Sequence, residues 1–316
     1  MLSLHTNNAA LSAQSSLGRT QTSLSTSMTR LSTGFRINSA MDDAAGLQIA
    51  TRLKAQTSGM SVAMRNTQNS ISMLQTAEGS LDEVTNILTR MKDLATQAAD
   101  GSSSDNDRTA MQAEYTSLTS ELSNIVGNTS FGGTTLLNNS TGKLKASVDF
   151  QIGASSGEKM SLDMSTQLNT MHKNLYSAAG AFTGGVLDVD AAGGASTWTK
   201  GGHGGKELTA TLAGDTGGAQ TGAFNANATI DRLKTAIDSV STVRSSLGAA
   251  ANRLDHVYNN LSNVSSNTQN AIGRIMDVDF ATESAKMTSN QMLMQAGTAM
   301  LKQTNQMSSM VMSLLQ

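Results

Sequence analysis

The sequence predicts a mainly α protein: a long antiparallel helical bundle or coiled coil formed by its N- and C-terminal segments, with a β-hairpin region and a small Gly-rich surface insertion from the middle of the chain. Three observations predict it. Leu4, Leu11, Leu17, Leu24 and Leu31 recur at seven-residue intervals with one step of six. Leu293, Met300, Met307 and Leu314 repeat the seven-residue step at the other end. A seven-residue apolar repeat marks a helix that needs a partner helix along its length. Finally, the 316 residues contain no proline, so nothing forces a kink into a long helix.

The terminal stripes are narrow and carry little charge. Before Asp42 the formal charges are Arg19, Arg30 and Arg36, and from Asn290 onward there is Lys302. The remainder is mostly Ser, Thr, Asn, Gln, Ala and Met. Such segments have too little apolar surface to fold alone and too little charge to behave as ordinary solvated helices. The two ends therefore need each other, or copies of themselves, which points to a self-assembling protein.

The interior elements follow in order. Ile71, Leu74, Leu81, Leu88, Met91, Ala95 and Ala98 mark a helix, and Asp100–Asp105 reads as a turn. Met111, Tyr115, Leu118, Leu122 and Ile125 step by four and three, a second helix expected to end near Gly127, where glycine tolerates a left-handed cap. From Phe131 to about Tyr176 the period changes. Leu144, Ala146, Val148, Phe150 and Ile152 alternate with polar residues, Gly153–Gly157 reads as a turn, and Met160, Leu162 and Met164 alternate again, which is a β-hairpin. Residues 180–222 hold 13 of the 28 glycines around a short strand candidate, Glu207–Leu212, and suit a small β-domain or a surface loop. The longest helical run carries Ile230, Leu233, Ile237, Val240, Leu247, Ala251, Leu254, Tyr258, Leu261, Ile272 and Ile275, interrupted by Arg244, Ser265 and Thr268. At ~1.5 Å per residue this is a rod of roughly 70 Å. The expected division is nested: a terminal core from 1–44 and 273–316, a helical rod with β-hairpins from 45–180 and 229–272, and a surface insertion at 181–228.

Several function classes lose their support here. Without cysteine there is no disulfide framework, thiolate metal site or cysteine nucleophile. A net charge of −2 gives no electrostatic footprint for nucleic acid or an acidic membrane. No apolar run approaches the ~20 residues of a membrane span. The start, MLSLHTNNAALSAQSSL, lacks the basic n-region and apolar core of a cleavable secretory signal. Asp42-Asp43 has no spaced His, Lys or Arg partner, and Ser39-x-x-Asp42 fits a capping box at a helix start. His5, His172, His203 and His256 form no metal-ligand spacing, and the glycine pairs form no phosphate-binding loop. No catalytic, cofactor-binding or metal residue is expected, and the chain reads as a non-enzyme.

Two segments carry a family resemblance. Residues 27–47, SMTRLSTGFRINSAMDDAAGL, resemble the N-terminal signature of bacterial flagellin. Arg274–Ser284, Gln295–Thr298 and Val311–Leu315 resemble its C-terminal signature. The likeness covers about residues 1–140 and 230–316, and the short length and abundant Met are most similar to lateral, swarming-type flagellins. The resemblance implies a structural subunit of the flagellar filament, a self-assembling helical homopolymer used for motility, with the terminal helices as inner tube and the middle segment as filament surface. It implies export by the flagellar type III apparatus, a chaperone at the C-terminal helix, and contact with filament cap and junction proteins. A hook–filament junction protein, with similar termini, is the structural alternative. A hydrolase hidden in the insertion finds no clustered His, Asp or Glu there.

The same resemblance extends to a receptor patch. Leu88–Gln97, with Glu114 on the next helix, is similar to the segment through which many flagellins bind Toll-like receptor 5. It implies Arg90, Lys92, Leu94, Gln97 and Glu114 as contacts, with charged hydrogen bonds around an apolar centre at Leu94. Leu88, Met91 and Ala95 are expected to face the bundle and the contact residues to lie off that seam. Thr89, Lys92 and Asp93 stand where strong agonists often carry Gln, Arg and Glu. Read without the resemblance, the segment fits a solvated helix face beside a buried stripe better.

Overall fold

The computed structural model describes residues 8–179 and 222–314. It contains six long or medium helices and two small hairpins: α1 (Asn8–Thr33), α2 (Ala44–Ala99), α3 (Asp105–Asn128), β1 (Ser130–Phe131), β2 (Thr134–Thr135), β3 (Val148–Gln151), β4 (Lys159–Leu162), α4 (Ser165–Ala179), α5 (Gly222–Met276) and α6 (Phe280–Leu314). The chain divides into two compact units, Met1–Ser58 with Val264–Gln316, and Gly59–Asn263, with the boundaries falling inside α2 and α5. The strand expected at Glu207–Leu212, His5, His203 and the 181–221 part of the insertion lie outside the described residues.

In the terminal unit α1 and α6 pack antiparallel, since Ser27 meets Glu283 while Leu17 meets Gly297. Among the described residues the two helices carry few charges, but their hydroxyls are not idle. Thr20, Thr22, Thr26, Thr29 and Thr33 each donate to the carbonyl four residues back, as do Thr288 and Thr304 in α6. Such back-bonding satisfies the hydroxyl inside its own helix. Gly34 ends α1: it takes φ +76, its N–H reaches the Arg30 carbonyl at 2.9 Å, and any L side chain there is strained. The chain then pairs with the approach to α6, Phe35 bridging antiparallel to Asp277, Val278 N–H donating to Gly34 O, and Arg36 N–H donating to Met276 O. Ser39 is not the cap of α2 that the Ser39-x-x-Asp42 spacing suggested, and Asp42 does not lie inside the helix. Asp42 Oδ2 instead accepts from the Asn38 and Ser39 N–H groups, closing a turn, and these bonds hold its carboxyl below the usual range. Asp43 is the cap, its Oδ1 accepting from Gly46 N–H at 2.8 Å. A Cβ on Gly46 would lie 2.5 Å from Oδ2 of the capping Asp43 and 2.8 Å from Cδ1 of buried Ile37, so a larger residue there displaces one or the other.

In the second unit one hydrophobic core joins α2, α3, α4, α5 and the β3–β4 hairpin. The helix expected from Ile71 is longer than its seam implied, because α2 starts at Ala44. On α5 the buried positions from Ala226 to Leu254 are Ala226, Thr229, Leu233, Ala236, Val240, Val243, Leu247, Ala250 and Leu254, alternating three and four. Ile230, Ile237 and Ala251, expected on the seam, flank it. Arg244, which interrupts the seam in sequence, pairs with Glu78 at 3.2 Å and Asp82 at 2.9 Å on α2. Ser104 and Asp107 form a full capping box at the start of α3. Its end is closed by Thr129, whose N–H and hydroxyl both donate to Ile125 O, and not by a left-handed Gly127. Arg108 donates to the carbonyls of Ala98 and Asp100, which caps the end of α2 with a cation.

The expected hairpin is present as β3–β4, with Phe150 opposite Met160 and Val148 opposite Leu162. Leu144 instead sits in a 3-10 turn, Lys143–Lys145. A second, two-residue hairpin turns on Gly132 and Gly133, both at positive φ, a geometry glycine adopts without strain. The β-like stretch does not reach Tyr176, since residues 165–179 are helical and bury Leu168, Met171, His172 and Leu175. Tyr115 donates to Ala178 O at 2.6 Å and ties α3 to the end of this helix.

Candidate assembly surface and receptor patch

The terminal leucines do not all serve the same contact. Leu17, Leu24 and Leu31 are half-buried, whereas Leu11 is 67% exposed. On α6 the half-buried positions are Met287, Asn290, Met294, Gly297, Leu301 and Thr304, alternating three and four. A Cβ on Gly297 would lie 3.2 Å from Leu17, so the helices approach closely there. Leu293 and Met300, on the seven-residue repeat, are off this seam at 59% and 65% exposed. Met28 and Met292 are exposed as well. Leu4 and the side chains of Met307 and Leu314 lie outside the described residues. The α1–α6 pair thus uses one stripe for itself and leaves Leu293 and Met300, seven residues apart on another face of α6, open.

The pair also contains a polar cluster that its sequence periodicity does not announce. Glu283 is 4% exposed, accepts from Ser27 Oγ at 2.6 Å, and lies 4.0 Å from Arg30 and 3.6 Å from Lys286. A buried carboxylate without such partners costs several kcal/mol, on the order of ~3 or more, so this cluster fixes which residues of α1 and α6 can face each other. Asp279 starts α6. Its oxygens accept from the Thr282 hydroxyl and from the Thr282 and Ala281 N–H groups, which hold its carboxyl below the usual range.

On the second unit Arg90 and Glu114 meet directly. Arg90 Nε and Nη2 both donate to Glu114 Oε1, at 2.8 and 2.7 Å, and both side chains remain exposed. Gln97 is exposed and Lys92 half-buried. Leu94 corrects the expectation of an apolar centre, being only 3% exposed within the core of α2, α3 and α5. The reason is geometric: Leu94 stands three residues after Met91 and four before Ala98, so it shares their face of α2. Leu88, Met91 and Ala95 face the core as expected. Among the described residues no three His, Asp or Glu converge as metal ligands, and no helix is long and apolar enough to cross a membrane. His172 is a core residue, its Nε2 2.8 Å from Leu137 O, and burial lowers its pKa to about 4.

Two family patterns match the chain. The Bacterial flagellin N-terminal helical region spans residues 4–141, and the Bacterial flagellin C-terminal helical region spans residues 230–315. Among curated relatives, Polar flagellin F of Vibrio parahaemolyticus is 53% identical over 163 residues, 52% of this chain and 42% of that protein. Flagellin D of Vibrio cholerae is 48% identical over 181 residues, 56% of this chain and 47% of that protein. These matches therefore span less than half the length of the relatives. A putative flagellar hook-associated protein from Vibrio parahaemolyticus shares the fold, with a TM-score of 0.53, at 15% identity over 75% of this chain and 100% of that one. Bacillus cereus flagellin aligns at 29% identity over 62% of this chain and 88% of that one, with a TM-score of 0.42. Both matched regions contain the terminal helices whose open stripe and buried Glu283 were described above, and the chain belongs to the bacterial flagellin family.

Proposed function

We propose that the chain is a non-enzymatic structural subunit of the bacterial flagellar filament, working outside the cell in motility. The observation that carries this reading is the open apolar stripe on a helix pair almost free of charge. Leu11, Leu293 and Met300 are more than half exposed, on helices whose surrounding threonines already donate to their own backbone. Covering such a surface with other copies strands few polar groups and buries apolar area at about 25 cal/mol per Å². Leu17, Leu24 and Leu31 hold the pair together; in sequence Leu4 continues their repeat, and Met307 and Leu314 continue the repeat of Leu293 and Met300. The terminal set 1–44 and 273–316 then makes the filament core, 45–180 and 229–272 the rod, and 181–228 the outer surface. A hook–filament junction role has less support, because the family patterns that match both ends are those of bacterial flagellin.

Partners follow from this reading and from the family. The open face of α6 suits a flagellin export chaperone before assembly, and cap and junction proteins at filament ends. The export route is the flagellar type III apparatus. Toll-like receptor 5 recognition is proposed through Arg90, Lys92, Gln97 and Glu114, with Leu94 acting only by supporting the helix from beneath. Salt-induced assembly of purified protein, viewed by electron microscopy, tests the central role. Long regular filaments are expected, and a protein that remains monomeric under all such conditions would contradict it.

A further inference from the structure

Methionine carries all of the sulfur chemistry in this chain, with 19 methionines and no cysteine. The two units use it in opposite ways. Within Gly59–Asn263 the described methionines are buried, apart from half-buried Met64. In the terminal unit none of the described methionines is buried, and Met28, Met41, Met292 and Met300 are 56%, 96%, 59% and 65% exposed. Three of these four stand on α1 and α6. Burial protects a thioether from oxidants, so the partition makes the terminal unit the reactive one.

We propose that Met28, Met292 and Met300 are modification sites at which a peroxide transfers oxygen to the unassembled subunit and so blocks its addition to the polymer. The proposal rests on the reading that the open α1–α6 stripe packs against other copies. In the chemical step a sulfur lone pair attacks one peroxide oxygen. The O–O bond breaks as the S–O bond forms, and the second oxygen leaves as water. Methionine loses two electrons and peroxide gains them. The product replaces an apolar thioether with a strong acceptor. The nearby hydroxyls of Thr26, Thr29, Thr298 and Thr304 already donate to backbone carbonyls, so none of them can serve the new oxygen without giving up its own bond. A sulfoxide buried against a second copy is then left unsatisfied, and the contact is lost. Within the polymer the same sulfurs are covered, so the block acts before assembly and spares filaments already made.

The test treats full-length monomer and assembled filament with hydrogen peroxide. Site occupancy is read by peptide mass spectrometry, assembly by sedimentation, and the helical core by its circular dichroism melt. Oxidised monomer is then treated with methionine sulfoxide reductases A and B. Met28, Met292 and Met300 should oxidise in monomer well before Met91 and Met171, with loss of sedimentable polymer, an unchanged core melt, and recovery after reductase treatment. The triple variant Met28→Leu, Met292→Leu, Met300→Leu should lose far less polymer on peroxide treatment, relative to its own untreated assembly. If that variant does not assemble untreated, reductase recovery set against site occupancy decides. Normal assembly of monomer oxidised at the three sites, or loss that tracks other methionines, would overturn the proposal while leaving the assembly reading intact, provided the filament protects the three. Oxidation of the three sites as fast in filament as in monomer would overturn the assembly reading and the proposal with it.

Discussion

Lowering the pH below 6.5 should destabilise the Gly59–Asn263 unit through His172, a buried side chain on α4. Its Nε2 contacts Leu137 O at 2.8 Å. Burial is the largest cause of its lowered pKa, about 4 against an ordinary 6.5; nearby Lys145 adds to the lowering and the Leu137 carbonyl opposes it. In the unfolded chain the imidazole takes a proton near pH 6.5, while in the folded chain it refuses one until about pH 4. Between those values the unfolded state binds more protons, so stability falls as pH falls. From pH 6.5 to about 4 the loss comes to about 3 kcal/mol, of which about 2 kcal/mol falls above pH 5. This is a large share of the ~5–15 kcal/mol of a typical domain. The assay is urea unfolding of the full chain, followed by circular dichroism, at several pH values from 7.5 to 5. Staying above pH 5 keeps carboxylate protonation largely out of the measurement. The variant His172→Gln should be less stable at pH 7 but should show a much flatter pH response. Equal slopes in wild type and variant would refute the reasoning, since the titrating group would then lie elsewhere.

Other perturbations bear on separate parts of the account. Leu254→Asp buries a carboxylate in the α5 seam, where Leu254 is fully buried, and should cost ~3 kcal/mol or more, lowering the melting temperature of the rod; Ser241→Asp, on an exposed face of the same helix, should change it by less than about 0.5 kcal/mol. Removal of residues 184–218 should leave filaments intact by electron microscopy if the insertion faces solvent. Ser27→Ala takes the hydroxyl from buried Glu283 and should cost about 1–3 kcal/mol of α1–α6 pairing, read as a raised critical concentration for assembly. Arg90→Ala with Glu114→Ala removes an exposed ion pair and should change stability by under ~1 kcal/mol, yet lower receptor signalling by monomer in a cell reporter assay. Unchanged signalling would remove these two residues from the receptor surface.

Much of the helical core was legible in the sequence because its period is long and uninterrupted. The steps through Met111, Tyr115 and Leu122, and through Leu233, Val240, Leu247 and Leu254, name residues that are buried. The Val148–Gln151 and Lys159–Leu162 hairpin was legible for the same reason at period two. Misreadings arose where two periods compete. Leu168, Met171, Leu175 and Ala178 keep a helical three-and-four spacing, but they follow directly on an alternating stretch that hides it. Leu94 was misplaced because a single seam was assumed for α2, whereas several neighbouring elements widen its buried face. Asp42 and Asp43 are adjacent carboxylates, and only the turn at Asn38–Ser39 decides which of them caps the helix. The Ser27–Glu283 contact joins residues 256 apart, so no local pattern carries it. The seven-residue repeat on α6 puts Leu293 and Met300 on one face, but sequence alone does not tell a face for α1 from a face left open.

In the filament the exposed apolar side chains of α1 and α6 should be covered by other copies of the chain. A cryo-electron microscopy map of salt-assembled protein, resolved to side chains, tests it most directly. The account predicts Leu11, Met28, Leu293 and Met300 packed against neighbouring subunits, with Ser27 still bonded to Glu283 within each subunit. A regular filament in which those four side chains face solvent would contradict it.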